Sequence, residues 1–290
     1  MIPERRGFLL GTAAALAAGC RATRSTTTPV AAERALALYD TDGKPSSLAA
    51  FASRCTDADV IAFGELHEHA VASRLQAELL TALFAQPRPV ALAMEFFETD
   101  TQPALDAYLA GEIDEPTFVE RTARPAAYAS SHRPLVEACK AHGARVVAAN
   151  APRRLVTEYR KSGLEYAPWR AALSEADRAL LPATSIPPHD EHERRFMALM
   201  GPKRGPAFFK SMALWNDAMA QSIVDVRTAD PRTRVLFIVG AFHVAARLGT
   251  VTQISARSPA TEFAVLTMRD GGAAWRESDR GEGDLVVCVP

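Results

Sequence analysis

The sequence predicts an α/β fold: a mostly parallel β-sheet with helices on both faces and a smaller helical lobe. Short apolar runs rich in Val, Ile and Ala alternate with longer amphipathic stretches, and repeated strand–helix units of this kind form parallel sheets with right-handed crossovers. The apolar runs end at polar or Gly residues and do not alternate with polar residues inside, which is typical of strands buried on both faces.

The elements follow from this pattern in chain order. The core strands are predicted at residues 59–63, 89–94, 145–149 and 234–239. Amphipathic periodicity predicts the main helices at residues 69–85, 101–109, 133–142 and 206–227. Residues 152–205 contain several Pro and no strand-like run, so a helical insertion is expected there. Two final runs, 262–267 and 285–289, flank Gly271 and Gly272, and they predict an antiparallel hairpin at the sheet edge.

The first 19 residues predict an export signal. Arg5 and Arg6 precede an apolar run, residues 8–18, that is too short to span a bilayer as a helix. The segment resembles a twin-arginine signal that ends in a lipoprotein processing box, in which Cys20 is acylated and becomes the mature N-terminus. Ordinary cleavage that leaves Cys20 unmodified is the alternative. Residues 20–44 are then expected to form a tether, and residues 45–290 the folded domain.

Composition and motifs exclude several classes of function. Lys and Arg total 33 against 34 Asp and Glu, a net charge of -1, which lacks the positive field that binds nucleic acid. Cys55, Cys139 and Cys288 have no CxxC or Cys–His spacing, which excludes a zinc-finger site. The sequence contains no GxSxG, phosphate-loop or GxGxxG motif, which argues against the commonest hydrolase, nucleotidase and dehydrogenase designs.

Polar side chains follow each predicted core strand. Glu65 and His67 end the first strand, Glu95 the second, Asn150 the third and His243 the fourth. Because parallel strands end at the same edge of a sheet, where open α/β folds bind ligands, we expect these side chains to converge.

The convergent set of Glu65, His67, Glu95 and His243 allows three interpretations. Two carboxylates and two imidazoles suit a divalent metal with mixed oxygen and nitrogen ligands. The same residues could be catalytic, with a base held by a second carboxylate acting on water, or they could only brace one another. Asp217, on the last long helix, is a further candidate at this edge, and a solvated surface position is its alternative.

Seven segments resemble, in order and spacing, the ChaN-like haem-binding uptake lipoproteins. The segments are GELH (64–67), AMEFF (93–97), QPALDAYLAGEID (102–114), RPLVE (133–137), ANAPR (149–153), DAMA (217–220) and GAFHV (240–244). The resemblance covers about residues 45 to 255. It implies an α/β core with a smaller helical lobe, a lipid anchor in the membrane, and haem held between two protomers.

The resemblance also implies candidates for haem contacts. In that family a tyrosine oxygen of one subunit binds the iron, while basic or imidazole groups of the other bind the propionates. Where members usually have a tyrosine before the RPLVE segment, this sequence has His132, with Tyr128 four residues earlier. The candidates are Tyr128, Tyr159 and Tyr166 for an oxygen ligand, His132, His189 and His192 for an imidazole, and Arg153, Arg154 and Lys161 for propionates. A packing or surface role is the alternative for each.

The expected function is therefore that of a haem-binding lipoprotein in haem and iron uptake. It would be exported, anchored to a membrane and facing the periplasm or cell surface, homodimeric when haem-loaded, and served by haem transport machinery. Two GxxH motifs with a separate Glu also resemble the TraB and Tiki group and the erythromycin esterase-like hydrolases. A metal-dependent hydrolase, protease-like or esterase-like, is thus the alternative, and a structural or interaction protein is the third hypothesis.

Overall fold

Seven strands form one sheet in the computed structural model, which describes residues 36–122 and 128–290. They are β1 (Ala37–Asp40), β2 (Val60–Glu65), β3 (Val90–Glu98), β4 (Val146–Asn150), β5 (Arg234–Gly240), β6 (Phe263–Arg269) and β7 (Leu285–Cys288). Their order in the sheet is β1-β7-β6-β2-β5-β3-β4. All pairs are parallel except the one between β1 and β7. The α/β class and the four core strands are confirmed.

The helices lie between these strands. They are α1 (Leu48–Arg54), α2 (Ala70–Phe84), α3 (Gln102–Leu109), α4 (Glu115–Thr122), α5 (Arg133–His142), α6 (Arg153–Ser162), α7 (Tyr166–Ala172), α8 (Glu175–Ala179), α9 (Asp190–Ala229) and α10 (Thr250–Arg257). A single π-helical turn, Tyr128–His132, leads into α5. Within the described ranges, no helix combines the length and apolar character that crossing a membrane requires.

Alternate residues of the central strands pack into two separate hydrophobic cores. Ile61 and Phe63 of β2 join the core beneath α1 to α5, whereas Val60 and Ala62 join the core covered by α9 and α10. Because both faces of the sheet are buried, the sequences of these strands are continuous apolar runs. A third apolar cluster, centred on Tyr159, fills the helical lobe.

One predicted feature of the sheet is wrong. The runs around Gly271 and Gly272 do not form an antiparallel hairpin, because β6 and β7 pair in parallel. The segment between them includes the turn Glu277–Asp279 and is long enough to cross back to the start of the next strand. The antiparallel partner of β7 is instead β1.

The boundary of the folded domain also differs from the predicted one. The predicted tether, 20–44, includes β1, whose four residues all pair with β7, so its last part belongs to the sheet. The predicted signal, residues 1–19, and the acylation site at Cys20 lie outside the described residues.

The predicted helical insertion, 152–205, contains α6, α7, α8 and the first part of α9. The helix expected at residues 206–227 is longer than predicted and begins at Asp190. Gly201 interrupts it with φ 73° and ψ 166°, a conformation that essentially only glycine adopts.

Candidate functional site

The four core strands bring their polar ends to one edge of the sheet, as predicted. Glu65, His67, Glu95 and Asn150 line a cavity of about 870 Å³ there. His243 lies behind the cavity wall in the turn after β5, with its Nε2 3.5 Å from Glu95 Oε1. The parallel strands therefore produce the expected convergence.

Glu65 is a buried carboxylate that both imidazoles of the cavity approach. Its Oε1 accepts a hydrogen bond from His67 Nδ1 at 3.2 Å and lies 4.0 Å from His132 Nε2. Its Oε2 accepts from the buried Gln76 side chain at 2.5 Å. The carboxylate is thus engaged through both oxygens, which is how a buried charge is stabilised.

His67 occupies a gap that only glycine leaves open. A Cβ added to Gly240 would lie 2.8 Å from His67 Cε1 and 2.9 Å from Nε2. The hydrogen bond that His67 donates to Glu65 raises the pKa of His67, with further contributions from the charges of Glu95 and Glu68, while burial opposes the shift. Gly240, the glycine of the GAFH motif, therefore has a steric role in placing His67 of the GELH motif.

Glu95 is held in its ionised form. Burial would raise the pKa of Glu95, but the charge of His243, its hydrogen bond and the Gly240 N–H together lower the pKa to about 2. The Gly240 N–H donates to Glu95 Oε2 at 2.7 Å.

A buried chain of polar groups continues behind His243. Its Nδ1 donates to Asn216 Oδ1 at 2.6 Å, and Thr250 Oγ1 donates to the same oxygen at 3.0 Å. Asn216 Nδ2 lies 3.1 Å from His192 Nε2. Burial first, and then the charge of His243, lowers the pKa of His192 to about 4. His192 is therefore a neutral hydrogen-bond acceptor behind the site.

Aromatic side chains form the opposite wall of the cavity. The His132 ring stacks on Phe96 with centroids 3.9 Å apart, and Phe96 meets His67 edge-on at 5.6 Å. Tyr128 and Trp215 also line the cavity. The Tyr128 hydroxyl is buried and makes no hydrogen bond with the described residues, and burial raises the pKa of this phenol.

No three His, Cys, Asp or Glu side chains are grouped as ligands of one metal ion in residues 36–122 and 128–290. The physical reason lies in the partners above: Glu65 and Glu95 are each occupied by imidazole and N–H donors. A divalent-metal site at Glu65, His67, Glu95 and His243 stays a prediction, and the comparisons with known proteins below do not favour the metal-dependent hydrolase.

The predicted haem-contact residues divide into two groups. Tyr128, His132 and Arg153 line the cavity. Tyr159 and Tyr166 instead pack with Trp169 inside the helical lobe, where the Tyr166 hydroxyl donates to the Pro182 carbonyl at 2.5 Å. Their rings serve that small core and do not face the cavity lining.

The remaining candidates lie away from the cavity. His189 caps α9 by accepting from the Glu191 N–H, Arg154 pairs with Asp177 at 2.5 Å, and Lys161 is exposed on α6. Asp217 is neither at the edge nor solvated, because it is buried against Arg257 at 2.6 Å.

Sequence reasoning missed several residues that build the site. Gln76, Phe96, Asn216, Trp215 and Thr250 all contact it or its partners. Phe96 directly follows Glu95, and Asn216 lies on a buried helical stretch. A polar residue on the apolar face of a helix is the signal that could have identified Gln76 and Asn216.

Residues 51–254 match the model of a protein family described as haem-binding uptake, Tiki superfamily, ChaN. Among solved structures, the chain resembles ChaN of Campylobacter jejuni with its cofacial haems, with a TM-score of 0.63 and 16% identity over 87% of this chain and 96% of that one. At this identity the match supports the fold. No curated protein sequence matches the chain.

Two further solved structures match less well. A Bacillus cereus protein matches with a TM-score of 0.49 and 10% identity over 84% of this chain and 92% of that one. An erythromycin esterase mutant in its open conformation matches with a TM-score of 0.48 and 10% identity, over 81% of this chain and 77% of that one. Similarity at this level is too weak to indicate a function.

Proposed function

We propose that this chain, which belongs to the ChaN family of haem-binding uptake proteins within the Tiki superfamily, binds haem in the cavity at the sheet edge. The family match over residues 51–254 is the observation that carries the proposal. The Campylobacter relative binds haem cofacially, and its fold extends over nearly the whole described part of this chain.

The residues of the cavity fit a porphyrin. The His132 ring stacked on Phe96 provides a flat aromatic surface of the kind that packs against a large planar ligand, and Trp215 also lines the cavity. The buried Tyr128 hydroxyl has no hydrogen-bond partner among the described residues. An unsatisfied buried hydroxyl costs about 1 to 3 kcal/mol, and a ligand atom that engages it would recover that cost.

Ferric haem supplies a Lewis-acidic iron that favours a hard anionic oxygen donor. Tyr128 is the residue we assign to this role, with His132 as the adjacent imidazole. Because burial raises its pKa, Tyr128 is a neutral phenol near neutral pH, and it would hold ferric iron through its oxygen after loss of the hydroxyl proton.

The rim of the cavity offers groups for the propionates. Arg121 and Arg153 both line it, and the Arg153 side chain is 83% exposed. Its Nε lies 3.9 Å from Glu98 Oε1, too far for a strong ion pair. Arg guanidinium groups bind carboxylates in a bidentate manner, so Arg153 can pair with a propionate without losing a close internal contact.

A titration of the purified chain with ferric haem, followed by the Soret band, tests the proposal. We expect saturable binding, and we expect Tyr128→Phe to weaken it about tenfold or more, the effect of about 1.4 kcal/mol of binding free energy. Tyr159→Phe, in the helical lobe, is the matched control and should bind as the parent does.

The outcomes separate the function from the ligand assignment. Absence of a saturable Soret shift in the parent chain would remove haem binding. If Tyr128→Phe binds haem with the affinity and the spectrum of the parent chain, only the role of Tyr128 is removed. The variant His132→Phe would then be compared with the parent chain.

The same family relationship supports a role in haem uptake. We further propose that the chain is an exported lipoprotein acylated at Cys20. It would be homodimeric when loaded with haem and would deliver haem to a transport system. Mass spectrometry of the mature chain, compared with a Cys20→Ser variant, tests the acylation. Light scattering with and without haem tests the dimer, which should form only in the loaded protein.

A further inference from the structure

Large apolar side chains are exposed near the end of α6 and on both sides of the Gly201 kink of α9. In the described ranges, the exposed large hydrophobic residues are Leu164, Leu199 and Phe208, with exposed fractions of 46%, 67% and 39%. Single exposed leucines are common on protein surfaces. These three instead belong to the helical lobe, next to the end of α6 and around the Gly201 kink of α9.

Direct contacts connect the end of α6 with the part of α9 that follows Gly201. The Arg160 guanidinium lies over the Phe208 ring, 4.6 Å from its centroid. Lys210 donates to the Leu164 carbonyl, and its ammonium lies 4.1 Å above the Tyr159 ring. The end of α6 and the start of the second half of α9 therefore form one continuous surface.

The kink itself is held by packing. Met197 Sδ packs against Gly205, where a Cβ would collide with it. Phe196, Phe209 and Met212 form a small apolar cluster beneath. This packing stabilises the part of α9 around Gly201, on either side of which Leu199 and Phe208 are exposed.

Unpaired positive charge surrounds these apolar side chains. From residue 194 to residue 216 the chain has five Lys and Arg and no Asp or Glu. Arg194 and Arg195 pair with Glu191, which leaves Lys203, Arg204 and Lys210 without an ion pair among the described residues. Lys203 and Arg204 are exposed. Several other surface arginines are paired, such as Arg74 with Glu78 and Arg247 with Asp284.

We name as the elbow surface the exposed residues Lys161, Leu164, Leu199, Lys203, Arg204 and Phe208. Glu165, which follows Leu164, is the acidic residue at its margin. Apolar side chains that protrude between unpaired basic groups match the interfacial region of a bilayer, where the apolar groups enter below the headgroups and the basic groups meet anionic phosphates.

We propose that the elbow surface docks the folded domain onto a membrane that contains anionic phospholipid. The charge of the elbow surface is complementary to such a membrane and not to a neutral one. This contact is separate from the haem cavity and from any lipid at Cys20. It would orient the helical lobe towards the bilayer.

Vesicle co-sedimentation tests the proposal, using residues 34–290, which form one compact unit without the apolar run at the N-terminus. The vesicles contain phosphatidylglycerol and phosphatidylcholine in equal parts, or phosphatidylcholine alone. The variants are the double change Lys203→Glu and Arg204→Glu, and the single change Phe208→Ser. The matched control is Arg54→Glu with Arg145→Glu, two exposed arginines outside the helical lobe that form no ion pair among the described residues.

We expect the parent and the control to bind the anionic vesicles and neither to bind the neutral ones. The double elbow change should weaken binding at least about 25-fold, since each basic residue near a membrane contributes about fivefold. Phe208→Ser should weaken it less, and added salt should weaken binding by the parent chain. Circular dichroism of each variant checks that it is folded.

Three results would overturn the proposal. The parent could fail to bind anionic vesicles, or bind neutral vesicles equally well. The elbow and control variants could lose affinity to the same extent. The elbow variants could lose haem affinity or self-association while vesicle binding is unchanged, in which case the surface serves the haem or a second copy of the chain.

Discussion

The side chain of Asn216 fixes the protonation of two histidines at once. Its Oδ1 accepts from His243 Nδ1 and from Thr250, so its Nδ2 is the group that faces His192 Nε2 at 3.1 Å. His192 must then accept, and a protonated His192 would place two N–H donors against each other. The neutral form of His192 is therefore required by the hydrogen bonds as well as by its burial.

This arrangement predicts a pH dependence of stability. Burial lowers the pKa of His192 to about 4 in the folded chain, whereas an unfolded histidine titrates near about 6.5. The unfolded chain binds more protons between these values, so the stability contribution is complete above pH 6.5 and is lost as the pH falls towards 4. The loss amounts to about 3 kcal/mol, and urea unfolding across this range measures it.

A substitution isolates the histidine from the other titrating groups. His192→Gln should flatten the pH dependence of the unfolding free energy between pH 6.5 and 4 by about that amount. His142→Gln, at an exposed position on α5, is the control and should keep the slope of the parent. An unchanged slope in His192→Gln would show that this residue is not the titrating group.

At the scale of elements, the kink divides α9 into two parts that make different contacts. The part after Gly201 covers the sheet with Met219, Ala220 and Ile223, while the part before it carries His192 towards Asn216. A straight helix would direct the first part away from the sheet edge. Pro202 follows the kink directly, where a new helical segment tolerates a residue without an N–H.

Replacing Gly201 tests whether the kink is set by the backbone. Gly201→Ala meets no neighbouring atom within 4 Å, yet its φ of +73° with ψ 166° is a region that only glycine adopts readily. We expect a loss of about 2 kcal/mol in the unfolding free energy. Gly143→Ala, in the left-handed position after α5, should lose about 1 kcal/mol. Thermal and urea unfolding measure both losses of unfolding free energy. A smaller loss for Gly201→Ala than for Gly143→Ala would contradict the expectation.

The elements that the sequence predicts best are those with strong local signals. The bounds of α5 are as predicted, since Pro134 lies in its first turn and Gly143 ends it with φ 62°. The pairing of β6 with β7 was mispredicted, because Gly271 and Gly272 indicate a turn without indicating where the chain goes next. The position of His132 against Phe96 depends on how the turn before α5 packs on the sheet, which local pattern does not encode.

At the scale of the whole molecule, the order of strands decides where the site can be. β2, β5, β3 and β4 are neighbours, so the residues at their ends meet although Glu65 and His243 are far apart in sequence. The convergence was predictable because a parallel sheet has one carboxyl edge. The Asn216 network was not, since it requires α9 to pack at a particular rotation across that edge.

The strand order also leaves β7 dependent on β1. β7 is buried along its whole length, and β1 supplies the hydrogen-bond partners on its outer side. Tyr39 adds a ring contact to Trp275, 5.6 Å between centroids. An uncovered β7 would present an apolar edge strand, the kind of edge that pairs with other chains.

Two truncations test this dependence. A chain that begins at residue 34 keeps β1, and it should unfold with the same free energy as the full chain. A chain that begins at residue 45, where the tether was expected to end, lacks β1. It should lose several kcal/mol, taking about 1 kcal/mol for each hydrogen bond of the β1–β7 ladder, and self-associate in light scattering. A strand that closes an apolar edge cannot be removed without a loss of stability, so equal stability of the two truncated chains would contradict this role of β1 and mean that the folded domain begins after it.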